Sequence, residues 1–178
     1  MPKSIGTFQV KSSRLLAIDP CYDEDFQGAE ISRPLKGTWS ASVTRKEGRV
    51  ATLLAEAVGG KPETGWIEVG GEVGVDAGQA GIFDMGGWRQ DKEALVDAES
   101  LKVAKDHPDF EPTKWCKENK GKGERFYAAC CLRTLGPKAC GVIGVGAVSE
   151  SGWGDGCYTA YVRRNAKGLA VAVKIRFL

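Results

Sequence analysis

The chain has 178 residues, a formal net charge of +2 and 42% hydrophobic residues. This length fits one domain with a substantial core, and the composition excludes a largely disordered chain. The small net charge gives no reason to expect nucleic acid as a partner. Glycine occurs 24 times, well above its ordinary share of ~7%, which predicts many short strands joined by tight turns.

The six cysteines are expected to be free thiols. The N-terminal residues lead into no apolar stretch of the kind that a secretory signal contains. No run approaches the ~18 apolar residues that a membrane helix requires, so we expect a cytoplasmic protein without a membrane partner. Reducing conditions in that compartment disfavour disulfides. No CxxC pair is present, so no zinc site is predicted.

Strands dominate the predicted elements. Residues 35–44 and 49–58 alternate apolar and polar side chains around the turn Lys46-Glu47-Gly48, which predicts a hairpin. A second hairpin is predicted at residues 157–163 and 169–177. The other predicted strands are residues 5–10, 14–18, 66–75, 79–85, 126–135 and a bent strand at 140–148.

One stretch of the chain changes to helical periodicity. Between residues 89 and 105, alanines and leucines recur three or four positions apart with charges between them, and residues 111–120 suggest a second short helix. We therefore predict one domain over residues 1–178, with a variable helical and loop insertion at about 89–123. The fold class is mainly β, with α+β as the alternative: an antiparallel sandwich or strongly curved sheet of about nine strands.

Sequence templates for catalysis are missing. His107 is the only histidine and lies in a polar loop, directly before Pro108, so a serine or cysteine nucleophile paired with histidine has little support. No phosphate-binding GxxxxGK[ST] loop occurs, and no helix pattern follows the glycines of residues 141–146 as a dinucleotide-binding fold requires. The sequence favours a protein that is not an enzyme, and neither a cofactor nor a metal is predicted.

Three turns combine aspartate with residues that permit unusual backbone angles: residues 19–22, 74–81 and 151–156. Such turns aim carboxylates and backbone N–H groups at one point if they converge. Three interpretations remain open. The aspartates cap their own backbone, they line a small-ligand pocket, or together with Asp84 they surround a hard cation.

Aromatic and basic residues supply a second pattern. Trp153 stands between two glycines, where an aromatic ring either stacks on a ligand or folds back over the sheet. Five basic residues and no acidic residue follow Tyr158. Lys174 and Arg176 share one face of the last strand, which predicts either an anion contact or the solvated side of an edge strand.

Four motifs in the same order resemble a family of small bacterial and phage proteins that is catalogued as a domain of unknown function. The motifs are DPCY at residues 19–22, GTWSA at 37–41, GVDAGQAGIFD at 74–84 and SGWGDG at 151–156. The resemblance spans residues 15–177. It implies no activity, cofactor or catalytic residue. It implies a phage or mobile-element context, in which small proteins often act by binding, for example by sequestering a nucleotide used in bacterial defence.

Three functions follow as hypotheses. The first is a non-enzymatic binding protein for a small polar or nucleotide-like ligand, acting against host defence in the host cytoplasm. The second is a protein-interaction module that inhibits a host protein through residues 105–125. The third is a metal-dependent hydrolase or lyase that uses four carboxylates, Asp19, Asp76, Asp84 and Asp155.

The first hypothesis assigns roles to particular side chains. Trp153 or Tyr22 stacks on a ring, and turn N–H groups with nearby arginine or lysine hold the anionic part. A homodimer through an edge position of the basic C-terminal strand is also considered. The predicted ligand-binding residues are Asp19, Tyr22, Asp76, Gln79, Asp84, Ser151, Trp153, Asp155 and Arg176.

Overall fold

A computed structural model describes residues 1–23 and 27–178. Strands take up 42% of these residues and helices 19%. The described residues form twelve strands and three α-helices. The strands are β1 Lys3–Val10, β2 Arg14–Ile18, β3 Ala29–Ser32, β4 Gly37–Lys46, β5 Arg49–Ala57, β6 Ile67–Glu68, β7 Val73–Val75, β8 Gln79–Asp84, β9 Cys140–Ile143, β10 Gly146–Glu150, β11 Gly156–Arg164 and β12 Ala170–Arg176; the helices are α1 Ala98–Asp106, α2 Pro112–Glu118 and α3 Glu124–Thr134.

The strands form two antiparallel sheets, which confirms the predicted fold class. The seven-stranded sheet has the order β1-β4-β5-β12-β11-β6, and β7 pairs with β11 beside this path. The five-stranded sheet has the order β3-β2-β8-β10-β9. Both predicted hairpins are present as β4–β5 and β11–β12. No helix of the described residues is long and apolar enough to cross a membrane.

The main core lies between the two sheets. On β4, Trp39, Ala41 and Val43 are buried and alternate with partly exposed polar residues. This alternation puts the apolar side chains on the inner face of the seven-stranded sheet. The Trp39 indole N–H donates to the carbonyl oxygen of Leu35 at 2.8 Å, so the one polar atom of this buried ring is satisfied.

A second core lies between the five-stranded sheet and the helices. All six residues of β8 are buried, as expected for a strand that is covered on both faces. The rings of Phe83 on β8 and Phe126 on α3 pack edge to face, with centroids 5.5 Å apart. The protein thus has three layers: sheet, sheet and helices.

The predicted strand at residues 126–135 is wrong, because these residues form most of helix α3. Its phenylalanine, tyrosine and cysteines favour a strand by composition. Phe126, Ala129, Cys130 and Arg133, however, are spaced three or four positions apart and are all buried, which is the pattern of a helix that packs on a sheet. The helical part of the chain therefore continues beyond residue 123 to Thr134.

Three further expectations need correction. Residues 140–148 form two strands, since the chain turns between Ile143 and Gly146. The extended run at residues 66–75 is also two short strands, β6 and β7, which both pair with β11. The C-terminal strand β12 is not an edge strand, because β5 and β11 pair with its two sides. Its backbone groups are therefore already paired and offer no edge for dimerisation.

Candidate functional site

Asp19 joins the first of the three predicted turns to the second. Its carboxylate is fully buried just after β2. The amide of Cys21 donates to Oδ1 at 2.9 Å, and the amides of Asp76 and Ala77 donate to Oδ2 at 3.0 and 2.7 Å. Burial raises the pKa of Asp19, while these amides act to lower it. Each carboxylate oxygen thus holds a backbone segment in place.

The second turn is joined to the third by two contacts at Gly78. Its amide donates to Oδ1 of Asp155 at 2.9 Å, and its carbonyl oxygen accepts from the amide of Ser151 at 3.0 Å. The three turns therefore converge. We call residues 19–22, 76–79 and 151–155 the turn cluster.

Gln79 lies inside the turn cluster and contacts helix α3. Its amide nitrogen donates to the sulfur of Cys131 at 3.3 Å, and its amide oxygen accepts from the hydroxyl of Thr134 at 3.0 Å. Burial raises the pKa of Cys131 to about 11, although Gln79 and Tyr127 hydrogen-bond to its sulfur. Both ends of the Gln79 amide are used within the protein, so this residue connects the turn cluster to the helical layer.

Tyr22 and Asp76 lie at the outer side of the turn cluster, and Asp76 is exposed. Burial and a hydrogen bond with the Asp76 carboxylate raise the pKa of Tyr22 to about 12. Trp153 is 64% exposed, and the Arg49 guanidinium lies 4.9 Å from its ring centroid. The hydroxyl groups of Ser151 and Tyr158 both donate to the carbonyl oxygen of Gly154 at 2.7 Å, which fixes the backbone beside Trp153.

Two predicted site residues lie elsewhere. Asp84 ends β8, at the opposite end of the strand from Gln79, and accepts from the backbone amides of Lys11, Ser12 and Gly86. Arg176 lies on β12 in the seven-stranded sheet. The turn cluster therefore brings together seven of the predicted residues: Asp19, Tyr22, Asp76, Gln79, Ser151, Trp153 and Asp155.

The chemistry of the turn cluster is mainly that of a structural junction. Asp19 and Asp155 accept backbone amides that the turns would otherwise leave unpaired. Its own residues include three aspartates and no lysine or arginine. The two arginines that contact it, Arg49 and Arg89, already donate to the carbonyl oxygens of Gly152 and Pro20, so the excess of carboxylates is unfavourable for a phosphate. Among residues 1–23 and 27–178, no group of three His, Cys, Asp or Glu side chains is arranged to hold a metal ion.

A second group of residues lies on the outer face of the seven-stranded sheet. Tyr161 on β11 pairs with Lys174 on β12 and with Glu68 on β6, so these side chains share the face opposite the main core. Arg163 and Arg176 follow at the next same-face positions, and Trp66 lies just before β6. We call Trp66, Tyr161, Arg163, Lys174 and Arg176 the cation face.

The aromatic rings of the cation face position its charges. The ammonium of Lys174 lies 4.3 Å from the Trp66 ring centroid and 5.1 Å from that of Tyr161. The guanidinium of Arg163 lies 5.6 Å from Trp66, and that of Arg176 lies 5.3 Å from Tyr161. Contacts of this kind are worth ~0.5–1 kcal/mol each at exposed sites, enough to favour one arrangement of the long side chains.

The three cations have no carboxylate partner in the part of the chain that the structure describes. Arg163, Lys174 and Arg176 form none of the salt bridges there. Burial lowers the pKa of Lys174, and the positive charges of Arg176 and Arg163 lower it further. The cation face therefore carries three positive charges without a salt-bridge partner among the described residues, although Glu68 lies on the same side of the sheet.

Part of the cation face is predictable from the sequence. The alternation along β12 placed Lys174 and Arg176 on one face. The neighbours Trp66, Tyr161 and Arg163 required the register of β6 and β12 against β11, which local patterns do not contain.

Comparison with protein families gives one match. Residues 68–175 match the model of a family described as a protein of unknown function, DUF4241. The chain belongs to this family. The DUF4241 region contains the second and third turns, helix α3 and Lys174, whereas Asp19, Tyr22, Trp66 and Arg176 lie outside it. No curated protein sequence and no solved structure matches the chain.

The six cysteines of this DUF4241 protein are predicted to differ strongly in reactivity. Cys157 is exposed, whereas Cys130, Cys131 and Cys140 are buried. Burial also raises the pKa of the half-buried Cys21 thiol to about 12. A hydrogen bond to Glu72 and the charge of that carboxylate raise the pKa of Cys157 as well. At about pH 8 iodoacetamide should nevertheless modify Cys157 first, because it is the exposed thiol and reaction needs an accessible thiolate. Peptide mapping by mass spectrometry measures the order.

A C157S variant is the control for this labelling. It should lose the fast adduct, and in guanidinium chloride its five remaining thiols should all react. Modification of Cys131 in the native protein at the rate of Cys157 would contradict the closed packing between Gln79 and helix α3.

Proposed function

We propose that the protein is a non-enzymatic binding protein whose cation face holds a small nucleotide-like ligand. One observation carries the proposal: Arg163, Lys174 and Arg176 lie over two aromatic rings, with no salt-bridge partner in the described part of the chain. Compared with the site expected from the sequence, the proposal keeps Arg176 and assigns the turn cluster a structural role.

The cations supply the phosphate-binding part of the site. Guanidinium and ammonium groups form short, charge-assisted hydrogen bonds with phosphate oxygens. Within the described residues no carboxylate forms a salt bridge with the three cations, so an anion would displace no carboxylate. The Nε of Arg163 already donates to the carbonyl oxygen of Thr64 at 3.0 Å, which leaves its other guanidinium nitrogens to the ligand. Binding would also relieve the repulsion from Arg176 and Arg163, which adds to the effect of burial in lowering the pKa of Lys174.

The aromatic rings supply the part that recognises a base. Trp66 lies beside the short strand β6 at the rim of the sheet and is 36% exposed. Stacking of a base on an aromatic side chain is worth ~1–3 kcal/mol and tolerates any base. Lysine is flexible enough to move from the Trp66 ring to a phosphate while its aliphatic chain stays on the sheet.

A role follows from binding without catalysis. A protein that holds a nucleotide and presents no catalytic group lowers the free concentration of that nucleotide. We propose this sequestering role for a phage-encoded protein that acts in the host cytoplasm against a nucleotide signal of bacterial defence.

Isothermal titration calorimetry of the purified protein with ATP and with inorganic tripolyphosphate tests the proposal. The double substitution Lys174→Glu with Arg176→Glu should weaken both ligands by more than about tenfold, since two attractive charges become repulsive. Trp66→Leu should weaken ATP but leave tripolyphosphate nearly unchanged, because only ATP carries a base. Both affinities should fall as the salt concentration rises.

A matched control reverses two positive charges at exposed sites outside the cation face. Lys36→Glu with Lys46→Glu should leave both affinities within about twofold of the wild type. Absence of ATP binding by the wild type, or an equal loss in the control variant, would overturn the proposal. Native mass spectrometry of the protein purified from cells provides an independent readout, since a retained nucleotide adds its own mass.

A further inference from the structure

A cavity lies between the helices and the edges of the two sheets. It has a volume of about 360 Å³ and is formed by β1, β4, β9, α1 with the residues just before it, and α3 with the segment after it. Pockets for small organic ligands usually have ~300–1,000 Å³. Lys3, which lines the cavity, pairs across β1 and β4 with Val43 of the main core. The cavity is therefore on the opposite side of the sheet from the cation face.

One wall of the cavity is apolar. Ile5 of β1, Val142 of β9 and Leu132 of α3 line it, together with Leu95, which is 45% exposed. These side chains come from separate layers of the protein, so the space between them is bounded on several sides. An apolar wall of this kind holds the hydrocarbon part of a ligand.

A buried arginine lines the same cavity. The side chain of Arg133 is only 9% exposed. Two of its nitrogens donate to the two oxygens of Asp97, at 3.2 and 3.1 Å. Its Nε is buried and has no hydrogen-bond partner within residues 1–23 and 27–178. Unsatisfied buried donors are rare in folded proteins and indicate a missing partner.

The cavity lining also carries excess positive charge. Lys3, Arg45, Arg133 and Lys138 line it, against the two carboxylates of Asp97 and Glu99. Asp97 pairs with Arg133 and Glu99 with Lys138. Arg45 pairs with a carboxylate outside the lining, and Lys3 forms none of the salt bridges in the described part of the chain. An anion would therefore meet a favourable field.

We propose that this cavity binds a small organic anion with an apolar body, of the size and chemistry of a medium-chain carboxylate. The carboxylate would lie towards Lys3 and Arg133, and the hydrocarbon chain would lie against Ile5, Leu132 and Val142. The site is separate from the cation face, so each site is tested without the other.

Calorimetric titration with octanoate, octanol and octylammonium separates the two parts of this proposal. Octanoate should bind, octanol should bind more than about tenfold more weakly, and octylammonium should bind least, since the lining attracts anions. Equal binding of octanol and octanoate would show an unspecific apolar cavity and overturn the proposal. Absence of octanoate binding would overturn it as well.

Two substitutions at exposed positions test whether octanoate binds in this cavity, and neither disturbs the core. Lys3→Glu should weaken octanoate by more than about tenfold, whereas the matched change Lys11→Glu, outside the lining, should leave it unchanged. Leu95→Trp should abolish binding, because the larger side chain occupies the mouth of the cavity. Both variants should keep the melting temperature of the wild type. Octanoate binding that neither change affects would mean that the ligand lies elsewhere and the proposal is wrong.

Discussion

Replacing Asp19 by alanine should lower the free energy of unfolding by about 3 kcal/mol, because three backbone N–H groups lose their acceptor at a buried site. The amides of Cys21, Asp76 and Ala77 all donate to this carboxylate. Loss of these hydrogen bonds removes the link between the first turn and the second. Denaturation in guanidinium chloride measures the effect as a lower midpoint at an unchanged slope.

Two further substitutions separate the hydrogen bonds from the shape of the side chain. Asp19→Asn keeps the shape but turns one acceptor into a donor that faces backbone N–H groups, so it should also destabilise the fold. Asp155→Ala is the matched control, since among the described residues this exposed carboxylate accepts a single amide, that of Gly78. The free energy of unfolding should fall much less in this variant. Equal losses for Asp19→Ala and Asp155→Ala would show that the buried carboxylate is not what joins the turns.

The sequence predicts the fold where local signals and packing agree. The hairpin β4–β5 follows from strict alternation on β4 and a short polar turn with glycine. Helix α3 was missed because Phe126, Tyr127 and the paired cysteines favour a strand by propensity. Phe126 contacts Phe83, more than forty residues away in the sequence, and this packing favours the helix. Propensity gives way to packing at such positions.

Local sequence patterns also predict the candidate sites only in part. Their aspartates and glycines identified the three turns, and the structure shows that these turns converge. Spacing alone could not separate Asp84 from the turn cluster. A six-residue strand such as β8 is ~20 Å long, and it places Asp84 at the far end from Asp76. Whether an aspartate binds a ligand or the backbone depends on which amides the fold brings to it.

Gly81→Ala should destabilise the protein by about 3 kcal/mol, at the upper end of the usual cost of overpacking. A β-carbon at Gly81 would overlap the ring of Phe83 and lie 2.7 Å from the carbonyl oxygen of Ala147. The ring cannot withdraw freely, because it packs against Phe126 of α3. Gly65→Ala is the matched control. A β-carbon there meets no heavy atom within 4 Å, so denaturant unfolding should be nearly unchanged.

A double-mutant cycle identifies Phe83 as the cause of this cost. In a Phe83→Leu background, Gly81→Ala should cost less than in the wild type by about 1 kcal/mol or more, because the smaller side chain leaves room for a methyl group. Some cost should remain, since the Ala147 oxygen stays close. Strict additivity would mean that the Phe83 ring does not occupy the space above Gly81.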